Sequence, residues 1–253
     1  MTAITLDLWQ TLIFDRDGSA KSDARRISRT VSIVRELKKY GEFVPNDVVE
    51  NGFKSLSEEI TSGHDHGRDR RFEDWILTLV DQLVPGLAQV MDSDSVFRMG
   101  AMVDKAFLDS PPSLIDDGEN VLKDLCSLGH KVGLISNTGL TSPQMYRRWL
   151  NQLGILKYFD FLAFSNEQEV AKPNRKIFVR TLDNLGVKAE WALHVGDNLH
   201  TDVGGAASVG MSTVWVKGFT SSKSSVIENP DFTVTSIREL PEIVQEWSSR
   251  LSN

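Results

Sequence analysis

A single cysteine in 253 residues leaves an intrachain disulfide without a partner, which fits a reducing compartment. That residue, Cys126 in "VLKDLCSLG", falls on the apolar face of a helical pattern and reads as core packing. Long apolar runs are missing too: nothing approaches the ~20 residues needed to span a bilayer. The opening "MTAITLDLW" lacks the basic stretch and apolar segment of a secretory signal. Together these absences lead to the expectation of a cytoplasmic protein. Positive charge is also in short supply, with 28 Lys and Arg against 35 Asp and Glu and a net charge of −7. This argues against nucleic acid or a membrane surface as partner. A small anionic substrate stays open, because one local cation can overcome a weak global field. No repeat or low-complexity tract stands out, and nothing in the pattern specifies an oligomeric state.

What is present is an ordinary globular composition, 40% hydrophobic and 25% charged, enough for a substantial core. Residues 3 to 8 read as a buried strand. From about 20 to 107 the periodicity is helical throughout. In "SDARRISRTVSIVRELKKYG", Ile27, Val31, Val34 and Leu37 are spaced as one apolar face, with Asp23 as a cap and Gly41 as a stop. "PNDVVENGFKSLSEEITSG", "RFEDWILTLVDQLV" and "DSDSVFRMGAMVDKAFLD" read as further helices. After "SPPS" at 110–113, strand and helix alternate, and the strands "KVGLIS", "FDFLAFS", "WALHVG", "STVWV" and "DFTVTS" read as apolar throughout. That pattern predicts an α/β fold with a parallel sheet covered on both faces. Residues 220–230 read as a polar surface loop. The expected organisation is a Rossmann-like core of 1–16 and 108–253, with a helical cap, 17–107, inserted after the first strand.

In such a sheet the functional crevice lies at the C-terminal strand ends. Asp7 follows "ITL"; Ser136 and Asn137 follow "KVGLI"; Lys172 follows "FDFLAFS" and a short loop; Gly196, Asp197 and then Asp202 follow "WALHV". A strand-end carboxylate can attack phosphorus and form an aspartyl-phosphate that water hydrolyses. The attack needs a screen for the phosphoryl charge, and Mg²⁺ held by one or two carboxylates supplies it. Asp7 and Asp197 are the candidate ligands, with Asp202 binding directly or through water. Ser136, Asn137 and the N–H groups around them can hold a phosphate oxygen, and Lys172 adds a positive charge. Thr11 is placed to hydrogen-bond near Asp7 and hold its turn. Singly, each feature is also what a helix cap, a turn or a solvated lysine looks like. In this order, at these strand ends, the set resembles the haloacid dehalogenase-like superfamily, and in particular its phosphohydrolase branch with a helical cap after the first motif. The resemblance spans essentially the whole chain. It implies Asp7 as nucleophile, Lys172 as its partner, a small phosphorylated metabolite as substrate, and the backbone carbonyl of Trp9 as a further Mg²⁺ ligand.

One position departs from the family pattern. Phosphatases of the superfamily carry a second acid two residues beyond the nucleophile, which protonates the leaving oxygen and then activates water. Here that position is Trp9, and the usual glycine after it is Gln10. Indole donates a hydrogen bond but shuttles no proton near neutrality. Three readings stay open. The first is a Mg²⁺-dependent phosphatase that is slow or takes its acid from elsewhere, from Asp15 or Asp17, or from a cap loop with His64, Asp65 and His66. The second is a dehalogenase, whose corresponding residue is aromatic; metal-free dehalogenases lack the paired acids kept in "GDNLHTD", which would repel a haloacid. The third is a phosphate-binding or regulatory module that has lost turnover.

Overall fold

The first strand, β1 (Ala3–Leu6), is four residues long and buried on both sides, as a central strand of a covered parallel sheet must be. The computed structural model describes residues 1–218 and 229–251, so positions 220–228 of the expected polar loop lie outside the described residues. A tight turn leads from β1 into β2 (Ile13–Phe14), and then only helices follow: α1 (Ala20–Lys38), α2 (Asn46–Asp65), α3 (Phe72–Leu83), α4 (Leu87–Val90) and α5 (Ser93–Asp109). The chain returns through β3 (Ser113–Leu114), which pairs antiparallel with β2. The rest alternates: α6 (Gly118–Ser127), β4 (Lys131–Ser136), α7 (Pro143–Gln152), β5 (Phe161–Phe164), α8 (Ser165–Gln168), α9 (Arg175–Leu185), β6 (Ala192–Gly196), α10 (Gly205–Ala207), β7 (Ser212–Val216), β8 (Phe232–Val234) and α11 (Leu240–Leu251).

The main sheet has the order β5-β4-β1-β6-β7-β8, every neighbouring pair parallel. The chain builds outward from β1 through β4 to β5, then crosses back to β6 and builds the other way. The order therefore reverses at β1, and the crevice of such a sheet opens beside that strand's C-terminal end. One face packs Leu6, Leu134 and Val195 under Val121 and Leu125 of α6, Trp149 of α7 and Trp247 of α11. The other packs Ile135 and Ala163 under Ile177, Phe178 and Leu182 of α9. This is the Rossmann-like α/β architecture that the alternating pattern predicts.

The helices between β2 and β3 have their own core, including Ile33 and Leu37 of α1, Phe53 and Leu56 of α2, Ile76 and Leu79 of α3, and Met99 and Val103 of α5. The expected apolar face of α1 needs correction. Leu37 is buried, but Ile27 and Val31 are 52% and 51% exposed, and the inward residues are Arg25, Thr30, Ile33 and Leu37. The reason is a polar junction: Arg29 donates to the Leu140 carbonyl at 2.6 Å and to Thr141 Oγ1 at 3.1 Å, in the loop after β4. The first half of α1 thus turns arginines, not aliphatics, towards the sheet domain. Asp23 lies within the first helical turn rather than at the cap, where it still favours the helix dipole.

A second junction lies between α5 and α7. Buried Asp104 accepts from Ser142 N at 2.8 Å and Ser142 Oγ at 2.5 Å, while Ser142 Oγ caps α7 by accepting from Met145 N. Cys126 is half-buried against the main core and donates to the Tyr158 carbonyl. Among the described residues, no helix is long and apolar enough to cross a membrane.

The orientation of α1 has a direct test. Ile33→Ala is expected to lower unfolding free energy by about 2–4 kcal/mol, whereas Ile27→Ala and Val31→Ala should each stay within about 0.5 kcal/mol of wild type. Denaturant titration of the three variants measures this; equal losses at 27 and 33 would contradict the observed face.

Candidate active site

Asp7 begins where β1 stops. Its N–H donates to the Val195 carbonyl of β6, so the register of the sheet itself fixes the residue at the crevice. Asp197 and Asp202 come from the segment after β6. The ligand oxygens of Asp7, Asp197 and Asp202 lie within 4.8 Å of one another, and all three residues are buried. Lys172 reaches between two of them: its Nζ donates to Asp7 Oδ1 at 2.5 Å and to Asp202 Oδ1 at 2.6 Å. The whole lysine is 2% exposed. Gly196 is required at the foot of this arrangement, because a Cβ there would overlap the Asp202 carboxylate.

Asn137 explains how the lysine arrives. Its Nδ2 donates to the Lys172 carbonyl at 2.9 Å and its Oδ1 accepts from the Lys172 N–H at 2.8 Å. The Asn137 side chain therefore clamps the lysine backbone, so it holds Lys172 rather than facing open solvent. The peptide between Lys172 and Pro173 is cis. Ser136 is buried at the end of β4, with its hydroxyl 3.4 Å from the Asn137 carbonyl. Thr11 departs from expectation: its hydroxyl is buried and has no hydrogen-bond partner among the described residues, so it does not tie the turn through its side chain. Backbone bonds do that work instead, from Leu12 and Ile13 to Leu8 and from Gln10 to Ile13. These bonds use the oxygens of Leu8 and Ile13, not that of Trp9.

Burial is the strongest influence on the acids. It pushes the Asp7 carboxyl up, Lys172 pulls it down and Asp202 pushes it up again, leaving it at about 6. For Asp197, burial and then the charges of Asp7 and Asp202 outweigh Lys172 and bring the carboxyl to about 8. Burial also works against ionised Asp202, but the Lys172 ammonium and then His194 outweigh it and hold that carboxyl below the usual range. Burial disfavours the Lys172 charge, and Asp202 and Asp7 more than compensate, so the ammonium persists. Three carboxylates thus share one ammonium, and among the described residues no side-chain cation pairs with Asp197. With all three ionised, two charges would go uncompensated by Lys172, and that closely spaced oxygen donor set suits a hard divalent cation.

Trp9 is anchored away from proton chemistry. Its indole Nε1 donates to Tyr146 Oη at 2.9 Å, and the Arg25 guanidinium lies 5.7 Å from its ring centroid. Gln10 has φ +60°, the left-handed conformation that explains why glycine is usual there. Asp15 is committed to a two-pronged ion pair with Arg25, at 3.1 and 2.5 Å, and Asp17 is exposed. At the C-terminal end of α2, His64 faces Asp69 at 2.9 Å and the His66 ring meets the Ser62 carbonyl at 2.7 Å, while Asp65 is exposed.

Sequence reasoning missed His194 and Tyr146. His194 stands opposite Thr5 in the β1–β6 register; its Nδ1 meets Thr5 Oγ1 at 2.8 Å and its Nε2 meets Asp202 Oδ1 at 3.3 Å. Burial holds the imidazole below its ordinary pKa, against the pull of Asp202, so it stays neutral. The available signal was a polar residue in each of two strands that read as apolar: Thr5 and His194 are both fully buried.

With this geometry in hand, the chain can be set beside known proteins. It is 36% identical over 147 residues to a glyceraldehyde 3-phosphate phosphatase of Methanopyrus kandleri, covering 56% of this chain and 59% of that protein. It is 36% identical over 115 residues to the pyrimidine 5'-nucleotidase YjjG of Escherichia coli, covering 45% and 49%. The matched part is thus about half the length of these curated relatives. Among solved structures, a HAD phosphatase from Thermococcus onnurineus superposes with TM-score 0.61 at 24% identity over 96% of this chain and 98% of that one. A 2-haloacid dehalogenase from Pseudomonas syringae pv. Tomato DC3000 gives 0.67 at 21% identity over 98% and 99%. At these identities the two superpositions establish the fold. The family model described as haloacid dehalogenase-like hydrolase matches residues 1–210, and the chain belongs to the haloacid dehalogenase-like hydrolase family.

Proposed function

We propose that the protein is a Mg²⁺-dependent phosphohydrolase acting on a small phosphorylated metabolite through an aspartyl-phosphate on Asp7. The observation that carries this reading is the buried Lys172 ammonium bridging Asp7 and Asp202, with Asp197 in the same cluster. Relatives named as a glyceraldehyde 3-phosphate phosphatase and a pyrimidine 5'-nucleotidase support a phosphomonoester as substrate. Asp7, Asp197, Asp202 and the Trp9 carbonyl would hold Mg²⁺, which when bound neutralises phosphoryl charge. The Asp7 carboxylate attacks phosphorus, the bond to the leaving oxygen breaks, and water then cleaves the acyl phosphate to return Asp7 and release phosphate. Lys172 orients Asp7 and offsets charge on the transferred group. Ser136 lies beside the crevice to meet a phosphoryl oxygen, and Thr11, whose hydroxyl has no partner among the described residues, is a second candidate for that contact.

The proton work is what distinguishes this member. The indole N–H of Trp9 is already used on Tyr146, and Asp15 is neutralised by Arg25. Loss of a positioned acid–base is worth roughly 10²–10⁴-fold in rate, so good leaving groups are favoured and the hydrolytic half-reaction slows. The dehalogenase reading has only the aromatic at position 9 on its side. Two further buried acids beside the nucleophile, Asp197 and Asp202, weigh against a carboxylate-bearing haloacid.

Three outcomes test the reading. An aryl phosphate should be cleaved with Mg²⁺ and not with chelator, and Asp7→Asn should abolish cleavage; metal-independent turnover, or chloride release from 2-chloropropionate in chelator, would sink the proposal. Acid-quenched protein treated with acetyl phosphate and Mg²⁺ should carry one added phosphoryl mass, and Trp9→Asp should shorten its lifetime by about 10²-fold or more; rapid turnover with no phosphoenzyme would place the proton transfer on another residue. The pH dependence has a definite sign. Asp7 and Asp197 titrate at about 6 and about 8 when folded, above the 3.8 of the free side chain. The folded, metal-free protein therefore binds more protons than the unfolded chain in this window, and these groups contribute less stability as pH rises from 4 to 8. Metal-free Asp197→Asn should gain in Tm relative to wild type between pH 5 and 8; a gap independent of pH would contradict the buried acid pair.

A further inference from the structure

Asp69 lies in the loop between α2 and α3, and its side chain is wholly enclosed, yet the reaction above gives it no task. Its oxygens accept four hydrogen bonds. Oδ1 takes them from Trp75 Nε1 at 2.8 Å and the Arg70 N–H at 2.7 Å; Oδ2 takes them from Ser165 Oγ at 2.6 Å and His64 Nε2 at 2.9 Å. An ionised carboxylate can only accept, so every direction is fixed. Ser165 gives its single hydroxyl proton to Asp69 and can then only accept. It does so from Thr138 N at 2.8 Å and from Thr138 Oγ1 at 3.2 Å. Thr138 Oγ1 in turn accepts from Asn166 N at 3.3 Å. A one-way chain therefore runs from the loop after β4, through the residue after β5, into the helical block.

The same helical-block loop touches the other side of the crevice. The Gly67 carbonyl accepts from the Ala171 N–H at 3.3 Å and from Asn174 Nδ2 at 3.2 Å, on either side of Lys172 and Pro173. This approach depends on glycine: Gly67 has φ +67°, and a Cβ there would come within 2.7 Å of the Asn174 Cβ. The loop thus fastens both the 136–138 turn and the lysine segment.

We propose that Asp69 is a positioning residue: seated on Ser165, it fixes the Thr138 end of the 136–138 turn, so that this turn takes its phosphoryl-binding shape only when the helical block is closed on the sheet. The inference rests on the phosphohydrolase reading, since it assigns the 136–138 turn to the phosphoryl group. It makes binding of the phosphoryl group and closure of the helical block one event.

Two variants break the link from opposite sides. Ser165→Ala removes the relay atom, and Gly67→Ala lifts the loop while leaving Asp69, Ser165 and Thr138 intact. Both should raise KM for p-nitrophenyl phosphate about tenfold, the worth of one charge-assisted hydrogen bond, with kcat changed less than about twofold because the chain touches no reacting atom. Hydrogen exchange on the full-length protein gives a readout independent of activity. Gly67→Ala should speed exchange of the Thr138 amide, and Ser165→Ala should speed exchange across 64–70, each about tenfold through local opening. Asp69→Ala combined with Ser165→Ala should be no worse in KM than the poorer single variant. An unchanged Thr138 amide in Gly67→Ala, an unchanged 64–70 segment in Ser165→Ala, or additive KM effects would each overturn the proposal. Should the wild type cleave no phosphate, the phosphohydrolase reading fails on that result, and with it the role assigned to the turn, while the exchange data still decide whether the two loops are coupled.

Discussion

Three carboxylates cannot be gathered out of water without compensation, and the Lys172 ammonium is the compensation this chain supplies. Removing it would leave Asp7 and Asp202 as like charges in a poorly solvated crevice, where burial is expensive. Much of the surrounding sequence serves to bring that ammonium to its place. Asn137 clamps its backbone, Gly196 clears space for Asp202, and the neutral His194, backed by Thr5, meets Asp202 from the sheet side. The compensation is incomplete: Asp197 keeps no cationic partner among the described residues. The imbalance is what suits the cluster to an added cation, because a fully neutralised cluster would have no electrostatic reason to take one.

Trp9 replaces one side chain on an otherwise intact platform. Its main-chain neighbours form the expected turn, down to the left-handed residue after it, although that residue is Gln10 rather than glycine. The indole is drawn to Tyr146, and Arg25 stacks near it while holding Asp15. The aromatic is therefore part of a packed wall joining α1, α7 and the first turn. Where a second acid would place a movable proton, this chain has a hydrogen bond used for structure.

The sheet was legible because its strands are short, apolar and separated by helical periods, and those two periodicities survive any detail of packing. The acids and the lysine were legible because strand ends are where a parallel sheet puts its chemistry. Other features were hidden for physical reasons. On α1 the apolar spacing of Ile27 and Val31 pointed to a face that is in fact solvated, since the inward side opens with arginines: Arg25 and Arg29 satisfy the Ser110 and Leu140 carbonyls and the Thr141 hydroxyl across a junction. Thr11 read as a turn-holding hydroxyl, yet the turn closes through backbone groups alone. Asp69 was invisible as a buried acid because it lies in "GRDRR", among charges that signal solvent; only the fold shows that its neighbours stay outside while it goes in. His194 sits in the middle of an apolar strand, and its partner Thr5 is nearly two hundred residues away in sequence.

The two-residue pair of β2 and β3 has a consequence for how this molecule can change over evolutionary time. Ile13 stands opposite Leu114 and Phe14 opposite Ser113, so the chain leaves for its long helical excursion and returns at a single narrow neck. Whatever is strung between those strands begins and ends at one point on the sheet. Such an excursion can lengthen, shorten or be exchanged for another without altering the strand that presents Asp7, as a cassette is exchanged in a fixed holder. The helical block and the strand that presents Asp7 are thereby placed under separate inheritance, and a lineage can remodel the one while the other stays still.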